Sequence, residues 1–403
     1  MEGRIRVRAT IFILCSIFLP LASNARHPLA SGARHKHRHG HEHGHGKVAR
    51  HGFGGVTQLK DLQVGFYGDT CPQVEQIVNE VVTKAYKKDP GVVAGFLRLF
   101  FHDCFVHGCD ASILLDKTAS GEKVEKDSRA NGQGMRGLEV IDEVKARIEA
   151  ECPGIVSCAD VLSYATREGS VIAGVPHYDV AAGRRDGLIS RETDVAGNIP
   201  LPSQPLQNIS QLFISKGMTV EDMVVLIGSH SIGIAHCPTF LYRVAQYNPT
   251  VKVDPKLTTA DANNIRNTCL RPVPFEVLSQ TFMPFDPVTP FRMDNIFYKH
   301  LLEGKALIES DRLMADDITT KQTVQAMAGN EQNWLEKFAD AMARLGMVDV
   351  KTGTEGEIRR NCRFVNSVNP QQPGDNNGDS GIGFDKEDEE QFREIIGPNI
   401  FVH

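Results

Sequence analysis

The stretch LRLFFHDCFVHGCDAS, from Leu97 to Ser112, holds the residues best suited to chemistry in this chain. Arg98 and His102 stand four residues apart, and residues at this spacing lie on one face of a helix. An imidazole beside a guanidinium suits a site where His102 moves a proton and Arg98 stabilises negative charge on a small bound oxidant or anion. A histidine on an apolar helix is more often a hydrogen-bonded core residue, so the pair alone is a weak sign of catalysis.

The neighbouring residues predict the helix that positions this pair. Asp89 is a candidate N-cap, Pro90 is a candidate first helical residue, and apolar residues recur at helical spacing from Val92 to Phe101.

Similar apolar stripes recur along the chain, whereas the alternation typical of strands is scarce. Thr219 and Asp222 are placed as the capping-box start of one further helix, and Gly346 follows a stripe that includes Trp334. We therefore predict an all-α domain.

Composition and the N-terminus limit the classes of function. The chain has 403 residues, 41% of them hydrophobic, and a formal net charge of −6, so it can bury a large core and its charge argues against a nucleic-acid partner. Residues 1–25 have a basic start, a short apolar run and small residues at a cleavage site, which is typical of a secretory signal. An uncleaved anchor is the alternative, but the run is short for a bilayer. We expect a secreted protein without stable membrane insertion.

Eight cysteines remain once the signal is removed. An even number in a secreted chain favours disulfides. A zinc site is the weaker alternative, because the sequence contains no Cys-x-x-Cys pair. The sequence alone leaves many pairings open.

Two segments differ in composition from the rest of the chain. Residues 26–58 are low in complexity, with alternating histidines between His35 and His45; loose binding of copper, nickel or zinc and an idle solvated tail are equally good interpretations. Residues 368–403 are rich in Pro, Gly, Asn and acidic side chains. This extension is either a solvated appendage or a removable targeting propeptide, so extracellular and vacuolar destinations both stay open.

Five motifs carry a resemblance to a known family. RLFFHDCFVHGCDAS resembles the distal haem motif of the secreted (class III) plant peroxidases, and VVLIGSHSIGIAHC, starting at Val224, resembles their proximal motif. Further matches are VSCADVL from Val156, GRRDG from Gly183 and GEIRRNCRFVNS from Gly356. The resemblance covers residues 59–367. It implies a two-lobed helical haem peroxidase fold, with one haem b between a distal and a proximal domain.

The resemblance also implies roles for individual residues. His230 would be the axial ligand of the haem iron, with Asp311 as the acceptor on its other ring nitrogen. On the opposite haem face, His102 would be the acid–base catalyst, and Arg98 would stabilise charge as the O–O bond breaks.

Three more residues belong to the implied distal site. Phe101 would limit access to the oxidant, Asn131 would accept the other imidazole N–H of His102, and Glu125 would hold Asn131. Asp160 and Arg184 match family positions that pair with each other, and we interpret them as structural.

Two calcium sites are implied, with the oxygen ligands that calcium prefers. The ligands of the first site would be Asp103, Asp110 and Ser112 with the carbonyls of Val106 and Gly108. The ligands of the second site would be Ser231, Asp286, Thr289 and Asp294 with the carbonyl of Arg292. The implied disulfides join Cys71 to Cys152, Cys104 to Cys109, Cys158 to Cys362 and Cys237 to Cys269.

The implied activity reduces hydrogen peroxide to water while oxidising phenolic donors by one-electron steps. The expected partners are hydrogen peroxide and small phenolic donors, and we expect a monomer. Two other functions compete: a non-catalytic wall or metal-binding protein, disfavoured because Arg98, His102 and His230 are all present, and a metal-dependent hydrolase, disfavoured because no HExxH string or compact metal-ligand cluster in the core supports it.

Several positions bear on the donor or depart from the family pattern. Pro200 matches a residue at the entrance for donors, and Arg129 stands where an apolar side chain is common, which favours acidic phenols. Ala130 and Tyr178 replace the family's usual Pro and Trp. Asn208 begins the one Asn-x-Ser/Thr sequence of the chain in which x is not proline, so a glycan is expected there.

Overall fold

The computed structural model describes residues 62–131 and 135–368. This part of the chain is mainly helical, as the apolar stripes predict. The α-helices, numbered in chain order, are α1 (Val74–Lys88), α2 (Val92–Val106), α3 (Leu138–Glu151), α4 (Cys158–Ala173), α5 (Leu206–Ser215), α6 (Val220–Ile227), α7 (Tyr242–Ala245), α8 (Thr259–Cys269), α9 (Phe275–Gln280), α10 (Ile296–Leu302), α11 (Glu309–Asp316), α12 (Lys321–Gly329) and α13 (Glu331–Leu345).

The strands of the described residues are short and form two antiparallel pairs. Strand β1 (Gln63–Val64) pairs with β2 (Ala181–Ala182), and β3 (Ile234–His236) pairs with β4 (Phe282–Pro284). Strand β3 lies within the proximal motif, close after His230.

Three predictions concern residues outside this part of the chain: the signal at 1–25, the His-rich segment at 26–58 and the acidic extension beyond Val368. Among the residues that are described, no helix combines the length and apolar character needed to cross a membrane.

Helix α4 organises the N-terminal part of the fold. It is buried along almost its whole length and contacts α1, α2 and α3. Helix α2 approaches it closely, since a Cβ on Gly169 would lie 3.2 Å from the ring of Phe96 and 3.4 Å from Val93. Because this face of α2 packs on α4, the face with Arg98 and His102 is left for the cavity described below.

Helix α2 begins later than the sequence predicts. Its N-cap is Gly91 and its first residue is Val92, whereas Asp89 is the C-cap of α1. The Asp89 carboxylate accepts a hydrogen bond from the Gly91 N–H at 3.0 Å. The assignment of Asp89 as N-cap is therefore wrong: α1 runs almost directly into α2, and Asp89 serves the turn between them.

The helix before the proximal motif begins and ends at well-defined contacts. Thr219 Oγ1 accepts from the Asp222 N–H at 3.0 Å, and the Asp222 carboxylate accepts from the Thr219 N–H at 2.9 Å, which confirms the predicted capping box. At its other end, Tyr298 donates to the Val224 carbonyl at 2.9 Å and Trp334 donates to the Val225 carbonyl at 3.3 Å.

These two aromatic residues also need a glycine at the end of α6. A Cβ on Gly228 would lie 2.2 Å from the Tyr298 hydroxyl. With glycine there, α6 continues into a 3₁₀ turn, Gly228–Ser231, that carries His230. The end of α6, from which this turn continues, is thus held against α10 and α13 through the carbonyls of Val224 and Val225.

The buried apolar side chains form two clusters. The larger includes residues of α1–α6 and α10–α13, and the smaller includes residues of β3 and α7–α9. The described residues form four disulfides, in the pairs that the resemblance implies: Cys71 with Cys152, Cys104 with Cys109, Cys158 with Cys362, and Cys237 with Cys269. The bridge between Cys158 and Cys362 spans 204 residues and on chain-entropy grounds contributes about 5 kcal/mol to the free energy of unfolding.

Candidate active site

One cavity of about 990 Å³ collects the residues predicted to surround the haem. It is lined by α2, by the 3₁₀ turn after α6, by β3 and β4, and by the first turn of α11. Eight of the predicted residues lie on its wall: Arg98, Phe101, His102, Arg129, Asn131, Pro200, His230 and Asp311.

The hydrogen bonds of His102 define its protonation. Its Nδ1 lies 2.5 Å from Oδ1 of Asn131, and Nδ2 of Asn131 donates to the Glu125 carbonyl at 2.6 Å. Because that donation identifies Oδ1 as an acceptor, Nδ1 of His102 must carry the proton. The remaining nitrogen, Nε2, therefore has a free lone pair and can act as a base.

Electrostatics keep this imidazole neutral. Burial lowers the pKa of His102 to about 3, with a further lowering from the positive charge of Arg98, while the hydrogen bond to Asn131 acts in the opposite direction. A neutral His102 can accept a proton over the whole physiological pH range.

Arg98 supplies a cation beside this base. Its Nη2 donates to the Ala130 carbonyl at 2.7 Å, which holds the side chain in place, while its buried Nε has no hydrogen-bond partner within the described residues. Burial lowers the pKa of Arg98 to about 10, so the guanidinium stays charged at neutral pH. A small polar ligand would find both a donor and a positive charge here.

Phe101 forms an apolar part of the same wall. Its ring centroid lies 4.1 Å from that of Phe105 and 5.8 Å from that of Phe213. Phe101 and Phe213 line the cavity, and Phe105 packs behind Phe101 in the core.

The hydrogen-bond partner of His230 is a carboxylate, whereas that of His102 is a neutral amide. Its Nδ1 lies 3.0 Å and 3.1 Å from the two carboxylate oxygens of Asp311, which is completely buried. A carboxylate only accepts, so Nδ1 carries the proton and Nε2 has the free lone pair. The ring of Phe285 stacks on the imidazole, with centroids 4.0 Å apart and planes 7° from parallel.

This cavity fits a haem. An imidazole nitrogen with a free lone pair and a carboxylate on its other nitrogen is the usual arrangement of a metal-bound histidine. The wall is largely apolar, as a porphyrin requires, and Arg136 and His236 add polar groups. A largely apolar cavity that holds one histidine backed by a buried carboxylate and another backed by an amide has the features of a haem oxidoreductase.

The residues implied for the first calcium site form a buried acidic cluster. Asp103, Asp110 and Ser112 are buried, as is the neighbouring Glu125, which is not one of the implied ligands. Burial and the charge of Asp110 raise the pKa of Asp103 well above its usual value. Lys351 reaches Asp110 at 2.5 Å, which compensates only part of the negative charge.

The carbonyls of this cluster come from the turn after α2, at Val106 and Gly108. Gly108 has a φ of +91°, and a Cβ there would lie 2.2 Å from the Asp349 carbonyl. Only glycine is compatible with this turn, so the close approach of the two segments is built into the sequence.

The residues implied for the second calcium site lie next to His230. Ser231, Asp286 and Asp294 are buried, and Thr289 donates to Asp286 at 3.1 Å; Arg292 lies between Thr289 and Asp294 in the same loop. Among the described residues, no three His, Cys, Asp or Glu side chains converge as they would around a metal ion. Either site would therefore depend on hydroxyl and carbonyl oxygens as well as carboxylates.

Other residues singled out from the sequence lie outside the active-site cavity. Arg184 donates to Asp160 at 2.7 Å, and both side chains are buried. Tyr178 is half-buried against the larger core cluster. Asn208 is exposed in the first turn of α5.

Sequence reasoning missed two contacts. Ser190 donates to the Glu125 carboxylate at 3.3 Å, and Phe285 stacks on His230. Neither residue belongs to a recognisable motif, and each is far along the chain from its partner, so no local signal points to them.

Comparison with known proteins identifies the family. The model of the peroxidase family matches residues 78–330. Peroxidase 5 of Vitis vinifera is 42% identical over 306 residues, which are 76% of this chain and 92% of that protein. Peroxidase 28 of Arabidopsis thaliana is 41% identical over 308 residues, 76% of this chain and 94% of that protein. Peroxidase 1 of Zea mays is 41% identical over 313 residues, 77% of this chain and 84% of that protein.

The chain therefore belongs to the plant (class III) peroxidases, haem enzymes that use hydrogen peroxide to oxidise donor molecules.

Proposed function

We propose that His102, Arg98, Asn131 and Phe101 form the peroxide-reactive side of the active site, that His230 and Asp311 hold the haem, and that the donors are small phenols. The observation that carries this proposal is the pair of histidines in one cavity. Each has a free Nε2 lone pair, but one is backed by an amide and the other by a buried carboxylate.

The haem, when bound by His230, would supply the redox chemistry, accepting the oxidising equivalents of peroxide and passing them to donors. The protein controls the protons. His102 Nε2 accepts a proton from one peroxide oxygen and returns it to the other, which leaves as water. Arg98 stabilises the negative charge that develops on the departing oxygen.

Two phenol molecules supply the electrons and protons that the reduction of hydrogen peroxide consumes. Each phenol loses one electron and one proton and becomes a phenoxyl radical, so that two phenols and one hydrogen peroxide yield two radicals and two waters. Pro200 and Arg129 line the cavity, and Arg129 would favour phenols that carry a carboxylate.

A panel of neutral and carboxylate-bearing phenols tests this assignment. Arg129→Phe should lower the kcat/KM for the acidic phenols relative to the neutral ones, because it removes a positive charge from the wall. Arg360→Phe is a matched control, since Arg360 is exposed and does not line the cavity. Equal profiles for wild type and Arg129→Phe would exclude Arg129 as a donor contact, and turnover of no phenol would exclude the substrate class.

Two calcium ions would neutralise the buried carboxylates beside His102 and the carboxylates beside His230. Elemental analysis of the purified enzyme should find about two calcium ions per chain. Asp103→Asn should remove one of them and lower the melting temperature, because a cation bound only to the folded state stabilises it. An unchanged calcium content would contradict the first site.

We also propose that the chain is a secreted monomer, with the signal at 1–25 removed and the peroxidase domain at 59–367. Four disulfides support an oxidising compartment, and the exposure of Asn208 supports a glycan there. Mass spectrometry of the native protein tests the termini and the glycan, and light scattering tests the monomer.

A further inference from the structure

A second, smaller cavity adjoins the active site. Its volume is about 470 Å³, and its wall includes Tyr242, Tyr247 and Glu309. Arg129 and Pro238 line both this side cavity and the active-site cavity. The two cavities therefore adjoin at Arg129 and Pro238.

The side cavity contains two tyrosines on one carboxylate. Tyr242 donates to Oε2 of Glu309 at 2.9 Å, and Tyr247 donates to Oε1 at 2.6 Å. The second distance is typical of a charge-assisted O–H···O⁻ hydrogen bond. The two rings stack, with centroids 6.4 Å apart and planes 11° from parallel.

Glu309 connects this pair of tyrosines to the active site. Its neighbours in the chain, Ile308 and Ser310, both line the active-site cavity, as does Asp311, the carboxylate on His230. One turn of α11 thus presents Glu309 to the side cavity and its neighbours to the haem-binding cavity.

This arrangement suits the oxidation of a tyrosine. A phenol that loses an electron becomes a strong acid, so its oxidation is easiest when a base already holds the phenolic proton. The Glu309 carboxylate is such a base for both hydroxyls. Its charge and the burial of the ring also raise the pKa of Tyr247 to about 12, so both tyrosines hold their protons at neutral pH until an electron is removed.

The exposure of the two cavities differs. His102 is only 8% exposed, whereas the side cavity is bordered by the exposed residues Arg129 and Ser203, and its two tyrosines are half-buried. A phenol attached to a large molecule could therefore touch Tyr242 or Tyr247 without reaching the active site.

We propose that the side cavity is a second oxidation site, at which Tyr242 and Tyr247 oxidise phenols attached to macromolecules. Tyr242 or Tyr247 would give one electron to the oxidising equivalents that peroxide and the bound haem supply, and its phenolic proton would move to Glu309, which leaves a neutral tyrosyl radical. A macromolecular phenol then gives that radical one electron and one proton. The tyrosine is restored, a phenoxyl radical is released on the macromolecule, and Glu309 loses its extra proton to solvent. This step rests on the peroxidase activity, which supplies the oxidant.

The first test is spectroscopic and needs no donor. Rapid freezing of the haem-loaded enzyme after mixing with peroxide should give a tyrosyl signal in electron paramagnetic resonance. A nitroso spin trap should attach to the peptide that contains Tyr242 and Tyr247, which mass spectrometry would locate. The signal and the adduct should disappear in Tyr242→Phe/Tyr247→Phe and persist in Tyr86→Phe, a half-buried tyrosine on α1.

The second test compares one phenol at two sizes: free tyramine and tyramine coupled to dextran. The double variant should oxidise tyramine–dextran at least about tenfold more slowly than wild type and free tyramine within about twofold of wild type. Glu309→Gln should lower the dextran rate without changing the tyramine rate, because glutamine can accept the hydrogen bonds but not the proton. Tyr86→Phe should change neither rate.

The outcomes separate this proposal from the function on which it rests. A tyrosyl signal that persists in the double variant, or an unchanged dextran rate, would overturn the side-cavity site while normal tyramine oxidation leaves the peroxidase intact. Loss of tyramine oxidation in wild type would instead refute the phenolic-donor assignment. Thermal melting of each variant establishes that the fold is retained, and a double variant that failed to fold would leave Glu309→Gln as the deciding variant.

Discussion

The two histidines of the active-site cavity differ in the partner behind the ring. His102 has the neutral amide of Asn131 at its Nδ1, and its pKa is lowered to about 3. His230 has the buried carboxylate of Asp311 at the same atom. Both therefore present an unprotonated Nε2. In the proposed function, the amide leaves His102 a weak base that releases protons readily, whereas the carboxylate increases the electron donation of His230 to the iron. On this proposal the partner, more than the histidine itself, decides between proton transfer and ligation.

Replacement of His230 should have the largest effect, because it removes the ligand itself. We expect His230→Ala to take up hemin weakly or not at all during refolding, so that the Soret absorbance of the purified protein is lost. His177→Ala is a control, since His177 lies outside the cavity. A normal Soret band in His230→Ala would show that another residue binds the iron.

Replacement of His102 should leave haem binding intact and slow only the proton transfer from hydrogen peroxide. We expect His102→Leu to reduce the rate of reaction with hydrogen peroxide by about 10²–10⁴, measured by rapid mixing, with a normal Soret band. If His102→Leu reacted as fast as wild type, the difference between the two histidines would have no bearing on catalysis.

Replacement of Asp311 exchanges the carboxylate for an amide like the one behind His102. Asp311→Asn should weaken haem binding by about 10–100-fold, measured by hemin titration of the apoprotein. It should also raise the reduction potential of the iron, because a less electron-rich imidazole stabilises the oxidised state less. An unchanged potential would mean that Asp311 only orients the ring.

The opposite exchange, Asn131→Asp, should show its effect in the pH profile. Only neutral His102 accepts a proton, and its pKa of about 3 predicts a peroxide rate in wild type that is constant from neutral pH down to about pH 4 and falls below it. A carboxylate at position 131 stabilises the imidazolium and raises this pKa, so the fall should begin at higher pH. Asn131→Gln, which keeps the amide, should not move the profile upward.

Local patterns predicted the elements better than the contacts between them. The apolar stripes and the Thr219–Asp222 capping box depend on residues a few positions apart, and the structure has both. The contacts of His102 with Asn131 and of His230 with Asp311 join residues 29 and 81 positions apart, which no helical periodicity reports; only the resemblance to a family indicated them. Asp89 was misassigned because an N-cap and a C-cap have the same local appearance when one helix directly follows another.

The position of Trp334 has a practical consequence. It is the single tryptophan of the chain, it is fully buried, and its indole holds the end of the helix that leads to His230. Light absorbed by this indole can pass to a porphyrin bound nearby instead of being emitted. The tryptophan fluorescence of the protein should therefore decrease as hemin is added. This decrease measures haem binding in each variant without a label.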